Sequence, residues 1–250
     1  LAQQMLTPAG QLLTLQEAAR RVQVGLTAWS GLADKPELLS ETLALIDECK
    51  SCMIEPEMLF RASEESALDE DAALSAKLRD LAQILTQYDS LCEETLPDPR
   101  DRLTHLRDGL AESHVLDGAE VYLDGFLSYT PQELAIIEVM LSSGVPLTAA
   151  VTCDVELPDV FVTGCRTLRT LTRMAERCSR SPELVDLGAG KMPRPAGLAA
   201  VANEALLPVR QAHEDASGVR LYEAASPFDE CEHAAAYIRR KVRDEGAHYR

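Results

Sequence analysis

The 250-residue chain lacks any run of 18 apolar residues. Arg, Asp or Glu interrupts every apolar stretch, so no membrane-spanning helix is expected. No basic segment followed by an apolar one opens the chain, so no secretory leader is visible. The seven cysteines are therefore expected to be reduced thiols in a cytoplasmic setting. The G-x-x-x-x-G-K-[ST] loop that cradles phosphates is missing, as are G-x-S-x-G and H-E-x-x-H. His105, His114, His213, His233 and His248 are scattered, and their spacing argues for no Ser/His/Asp set. Cys49 and Cys52 form a C-x-x-C, but no second C-x-x-C or H-x-x-x-H completes a zinc site. They read as two ordinary thiols one helical turn apart. A redox pair would lack its preceding strand.

Basic charge is scarce: 24 Lys and Arg stand against 41 Asp and Glu, for a formal charge of −17. Residues 1–118 hold 22 acids and 10 bases; residues 119–250 hold 19 acids and 14 bases. Such a chain repels a phosphate backbone at long range, which argues against a free-standing nucleic-acid binder and leaves room for a local basic patch. At 46% hydrophobic and 26% charged, the composition is ordinary for a globular protein with a core.

Residues 1–115 carry helical periodicity. Leu13, Ala18, Val22, Leu26 and Trp29 predict one helix stopped by Ser30-Gly31. Pro36 opens a second, with Leu39, Leu43, Leu45 and Ile46 as its core face. Ile54 to Leu59 starts a third. Glu64 to Asp71, with five acids and no base, is expected to be a solvated turn; it has no central Gly or alternating oxygen ligands for an EF-hand loop. Leu74, Leu78, Leu81, Leu85 and Tyr88 predict a long helix. Pro97-Asp98-Pro99 breaks the chain, and Leu103, Leu106 and Leu110 close the lobe.

The period then changes. Ala119 to Leu123 reads as a strand ending at Asp124. Thr130, Pro131 and Glu133 form a capping-box start for a helix carrying Leu134, Ile137, Met140 and Leu141 and ended by Gly144. Pro146 to Val151 is a second strand, followed by Asp154. Strand, helix, strand implies a parallel pair, and ligands sit beyond the carboxyl ends of such strands, where Asp124 and Asp154 are expected. Thr163 to Arg180 is an amphipathic helix with Arg166, Arg169, Arg173, Arg177 and Arg180 on roughly one face and only Glu176 offsetting them. That stripe reads either as a solvated face or as a contact with phosphates or an acidic partner. Residues 188–200 are expected to be loop, Val219 to Ala224 a third strand, and Asp229 to Gly246 a helix whose terminal Arg239, Arg240, Lys241 and Arg243 suit its dipole.

An apolar strand ending in Asp is the Walker B form, in which the carboxylate holds Mg²⁺; turn chemistry alone also puts Asp at many strand ends. The wider run is more specific. Leu123-Asp124-Gly125-Phe126, then Tyr129-Thr130-Pro131-Gln132-Glu133-Leu134, resembles the "DGF…FTPQE" signature of the AddB (RexB) family, the B component of bacterial AddAB (RexAB) helicase–nucleases. Residues 9–61 resemble the family's helical segment, Thr163 to Ala175 its T-x-x-T-x-x-x-L stretch, and Tyr222 to Pro227 with Arg243 to Gly246 and Tyr249-Arg250 the start of its second helicase-like domain.

The resemblance implies an α/β fold: a mainly helical N-terminal lobe, then an incomplete P-loop-NTPase-like, superfamily 1 (UvrD-like) parallel sheet with flanking helices. It implies a helical insertion at 1–118, the rest of the first helicase-like domain at 119–210, and the start of a second at 211–250. Family members are several times longer, so the chain is expected to be an internal piece, non-catalytic by itself, of a protein that resects DNA ends in double-strand break repair by homologous recombination. An AddA-like protein and DNA are the implied partners, and no membrane is. Mg-ATP is implied for the longer protein only, and the family's 4Fe–4S cluster lies outside these residues, so no cysteine here is assigned to it. Asp124 matches the Mg²⁺ aspartate, and Gly125 stands where an active helicase has Glu. Asp154 matches the next strand-end aspartate, but Val155-Glu156-Leu157-Pro158 replaces the Gln expected after it. These departures fit a degenerate motor. Two other readings stand beside it: a helical adaptor binding a basic partner through residues 55–71, and a small Mg²⁺-dependent phosphoryl-transfer enzyme using Asp124 and Asp154. The latter needs a third polar anchor, for which Thr152 and Lys191 are poor candidates.

Overall fold

The computed structural model describes residues 4–69, 71–155, 157–187, 194–204 and 212–248. Glu156, Lys191, Tyr249, Arg250 and the expected boundary at 210/211 lie outside the described residues. The chain divides into two compact units, Leu1–Glu183 and Leu184–Arg250.

The first unit opens with five helices: α1 (Pro8–Val22), α2 (Pro36–Ser51), α3 (Pro56–Leu68), α4 (Ala72–Glu94) and α5 (Arg102–Glu112). Proline begins three of them, where its missing N–H costs nothing and its fixed φ suits the first turn. The lobe's core is Leu15, Ile46, Ile84, Leu85 and Tyr88, all essentially inaccessible to water. Each such side chain contributes roughly 1.5–3 kcal/mol of burial.

Buried charge organises the connections. Asp80 Oδ2 accepts the backbone N–H groups of Thr27, Ala28 and Trp29 at 2.8, 2.7 and 3.0 Å, so a carboxylate from α4 folds the turn after α1. Asp98 is fully buried and accepts from Gln11, the Tyr88 hydroxyl and the Arg100 N–H. Lys50 of α2 lies 2.7 Å from both Asp89 and Asp101. Burial alone would push the Lys50 ammonium down, but Asp89 and Asp101 outweigh it and hold the group above its ordinary value. Asp89 is nonetheless raised, because burial and the neighbouring acids outweigh the one ammonium.

Four expectations change here. The first helix ends at Val22, and Leu13 is exposed; Leu15, Ala18 and Ala19 face the core instead. Glu64 to Leu68 completes α3 rather than forming a turn, because Glu, Ala and Leu are strong helix formers. Residues 188–200 are not all loop: Pro195 is followed by α8 (Ala196–Glu204). Val219 to Ala224 forms no strand, since among the described residues no strand pairs with it.

After the lobe comes the parallel pair. β1 (Val121–Leu123) lies beside β2 (Leu147–Ala149) with Val121 opposite Leu147, joined by α6 (Pro131–Ser142). α7 (Val162–Arg177) follows. Ile137, Leu141, Met174 and Ala175 form a second core, with Leu123, Leu147 and Leu171 against it. The fold is α/β, with far more helix than strand. The second unit holds α8 and α9 (Pro227–Glu245). α9 is capped by Ser226 and Gly246 and buries none of its residues.

Candidate nucleic-acid interface

The residues beyond β1 make a short, well-held loop. Asp124 is exposed, and its Oδ1 accepts the Gly125 N–H at 2.8 Å. Gly125 has φ +80°, a left-handed turn that suits glycine. Phe126, 40% exposed, stacks on Tyr129 with ring centroids 4.9 Å apart. The Tyr129 hydroxyl is buried with no hydrogen-bond partner among the described residues, and burial, then Glu133, pushes its pKa up. Thr130 and Glu133 make the full reciprocal capping box that opens α6. Gln132 is buried and donates to the Arg100 carbonyl and to Thr104 Oγ1.

α7 is docked by its smallest residue. A Cβ on Gly164 would sit 2.1 Å from the Thr152 carbonyl oxygen, so only glycine lets the helix approach the segment after β2 so closely. Thr167, also buried, donates its hydroxyl to the Leu127 carbonyl at 2.9 Å. The aromatic loop and α7 are thereby held on one packed piece. On the outer face of α7, Arg166, Arg169 and Arg173 are exposed and make no ion pair among the described residues. Arg177, in the last turn, lies 3.4 Å from Glu138 of α6. Arg180 lies beyond the helix. α7 stops at Arg177, Ser179 turns left-handed, and Arg180 donates Nε to the Leu141 carbonyl at 3.0 Å.

The two strand-end acids are placed differently. Asp124 follows β1 directly, whereas β2 ends at Ala149, so Asp154 lies five residues past it. The Asp154 carbonyl accepts from Leu157 N–H and from the Cys165 thiol. A Mg²⁺ site needs several hard oxygen ligands. Among the described residues no group of three His, Cys, Asp or Glu could hold a metal ion. Asp124 alone does not fit one, with one oxygen already turned to Gly125. Cys49 is buried and Cys52 exposed at the end of α2, both as free thiols. Among the described residues no helix is long and apolar enough to cross a membrane.

Sequence patterns alone do not single out Phe126, Leu127 or Thr167. Phe126 stands inside the DGF motif, but its exposure and its stack on Tyr129 are tertiary facts. Thr167 carries no signal, because its partner is 40 residues away.

Helices packed on a parallel pair, with an arginine face beside a strand-end loop, define a helicase-like class of α/β protein only in outline; similarity to known proteins narrows it. Residues 1–192 match the family model described as ADDB, N-terminal. The chain belongs to the AddB family. Three curated relatives are each named as the B subunit of an ATP-dependent helicase/deoxyribonuclease. That of Acetivibrio thermocellus is 28% identical over 97% of this chain and 22% of the relative. That of Moorella thermoacetica is 30% identical over 93% and 21%. That of Symbiobacterium thermophilum is 34% identical over 57% and 12%. The chain thus spans about a fifth of the length of the first of these relatives.

Proposed function

We propose that this chain is a non-catalytic, helicase-like portion of an AddB-type protein that contacts DNA through the outer face of α7. The observation that carries the reading is the exposed triplet Arg166, Arg169 and Arg173, free of ion pairs among the described residues in a chain of formal charge −17. Isolated surface arginines on an acidic protein ordinarily find acids. Guanidinium groups at helical spacing supply phosphate contacts that position DNA without reading its sequence. The exposed Phe126, stacked on Tyr129, offers a flat apolar face to an unstacked base, which favours single-stranded over duplex DNA.

On this reading the longer protein works with an AddA-like partner as an ATP-dependent helicase and exonuclease. It resects DNA ends in the cytoplasm during double-strand break repair by homologous recombination. The relatives' shared name supports this. Residues 119–210 are then the remainder of a P-loop-type, UvrD-like motor domain, 1–118 its helical insertion, and 211–250 the start of a second domain. Nucleotide chemistry is assigned to no residue here, since Asp124 stands alone and Gly125 carries no carboxylate. Mg-ATP and the 4Fe–4S cluster belong to other parts of the longer protein.

Fluorescence anisotropy of a labelled oligo-dT strand tests the contact. The chain should bind at low salt, and replacement of Arg166, Arg169 and Arg173 together by Ala should weaken binding by tenfold or more, about 1.4 kcal/mol or above for lost charge-assisted hydrogen bonds. Equal binding by the triple variant would assign DNA contact elsewhere.

A further inference from the structure

Gln132 belongs to the TPQE run, yet it faces away from any strand-end chemistry. It is 5% exposed, and its amide points at the helical lobe. Nε2 donates to the Arg100 carbonyl at 3.1 Å and to Thr104 Oγ1 at 3.0 Å. Both acceptors lie in the turn and helix that close the lobe, and that turn is itself pinned. The Arg100 N–H donates to buried Asp98 at 2.9 Å, and Lys50 reaches Asp101 at 2.7 Å. On its other side Gln132 is the second residue of α6, just after Tyr129, which stacks on Phe126, and Thr130, which caps the helix. Thr130 satisfies the helix N-terminus with Glu133, so capping does not need the Gln132 amide. Burying that amide without partners would cost free energy; here it is spent wholly on the lobe.

We infer that Gln132 is a positioning residue that sets the 124–130 loop against the helical lobe, through the Arg100 carbonyl and the Thr104 hydroxyl. The loop is then fixed from two sides: by Gln132 on the lobe, and by Thr167 on α7. Leu116 to Glu120 tethers the lobe to β1 with only turn hydrogen bonds, so packing of α5 on α6 is the firmer link. The role does not depend on the DNA reading, because its test follows backbone opening and uses no DNA.

The experiment is amide hydrogen exchange on the whole chain, read at the Gly125 and Thr130 amides. Those amides are bonded to Asp124 and Glu133 inside the loop. Gln132→Leu keeps the bulk and removes the amide. It should speed exchange at both amides by about tenfold, the scale of one net hydrogen bond, while α1 and α4 stay protected. Thr104→Val removes one of the two acceptors from the lobe side and should act in the same direction, more weakly. In the Gln132→Leu background it should add nothing. Packing damage confined to α6 would be neither reproduced from Thr104 nor saturated in the double variant. Unchanged exchange at both amides in Gln132→Leu, or additive effects in the double variant, would overturn the assignment. If Gln132→Leu does not fold, Thr104→Val decides alone, and no change at Gly125 and Thr130 then overturns it.

Discussion

Arg180 donates from Nε to the carbonyl of Leu141 across 3.0 Å, and its guanidinium lies where a side chain on Gly144 would otherwise extend. A cation at the carboxyl end of α6 satisfies a free carbonyl and suits the helix dipole. Arg180 is thus a brace between α6 and the end of α7. Arg169 faces outward on α7 with no ion pair among the described residues. The two arginines should separate cleanly. Arg180→Ala should lower stability by about 1 kcal/mol, read as a drop in Tm, and leave oligo-dT binding unchanged. Arg169→Ala should do the reverse.

Asp80 makes a sharper stability prediction. One buried oxygen holds three backbone N–H groups, and Asp80→Ala would strand them. At about 1–3 kcal/mol for each stranded donor, a loss near 3 kcal/mol or more is expected. Asp80→Asn keeps an acceptor oxygen and should lose less. Trp29, the sole tryptophan, sits on the affected turn, so its fluorescence in urea reports the change directly. A loss below about 1 kcal/mol, less than one buried hydrogen bond, would show that the turn is held by packing.

The network around Lys50 sets an alkaline limit. Burial, followed by the nearby acids, raises the Tyr88 phenol well above 10.0. Burial pushes the Cys92 thiol from 9.0 up to about 12, and Asp89 and Asp101 raise Lys50 above 10.5 despite its burial. All three hold their protons more tightly folded than unfolded. Their stabilisation is therefore complete below about pH 9 and is lost as pH climbs through the ordinary values and on towards the folded ones. Urea midpoints should fall steadily above pH 9. Tyr88→Phe should flatten the part of that fall that begins near pH 10, at some cost at neutral pH because Asp98 loses a donor.

Gly164 predicts a steric effect. In Gly164→Ala the new methyl would meet the Thr152 carbonyl oxygen at 2.1 Å, so α7 must move away from the segment after β2. A loss of about 1–3 kcal/mol is expected despite alanine's better helix propensity. Exchange should rise at the Cys165 amide and its neighbours. An unchanged or higher Tm would mean that the segment 150–161 yields without cost.

Legibility in the sequence follows locality. The α6 start is readable because Thr130, Pro131 and Glu133 lie within four residues and make their bonds to one another. Pro36 and Pro56 mark helix starts for the same reason. The parallel pair follows from a strand–helix–strand order. Val219 to Ala224 misleads because alternation shows a tendency to pair, while a strand exists only beside a partner. Leu13 misleads because two leucines in succession leave the helical phase open, and Leu15 takes the core position. The polar skeleton is invisible: Asp80 and Trp29 are 51 residues apart, and Gln11 and Asp98 are 87 apart. The stripe is legible as a helical face through Arg177. Arg180 is not, since Ser179's left-handed turn leaves no mark in the sequence.

The salt dependence of oligo-dT binding tests the DNA contact most directly. Three arginine–phosphate contacts on a single strand should give a slope of log K against log salt near −2, at about −0.7 per phosphate. The variant with Arg166, Arg169 and Arg173 replaced by Ala should bind weakly and with a slope near zero. An unchanged slope in that variant, or no binding by the unaltered chain at low salt, would contradict the assignment of α7 as the DNA-facing surface.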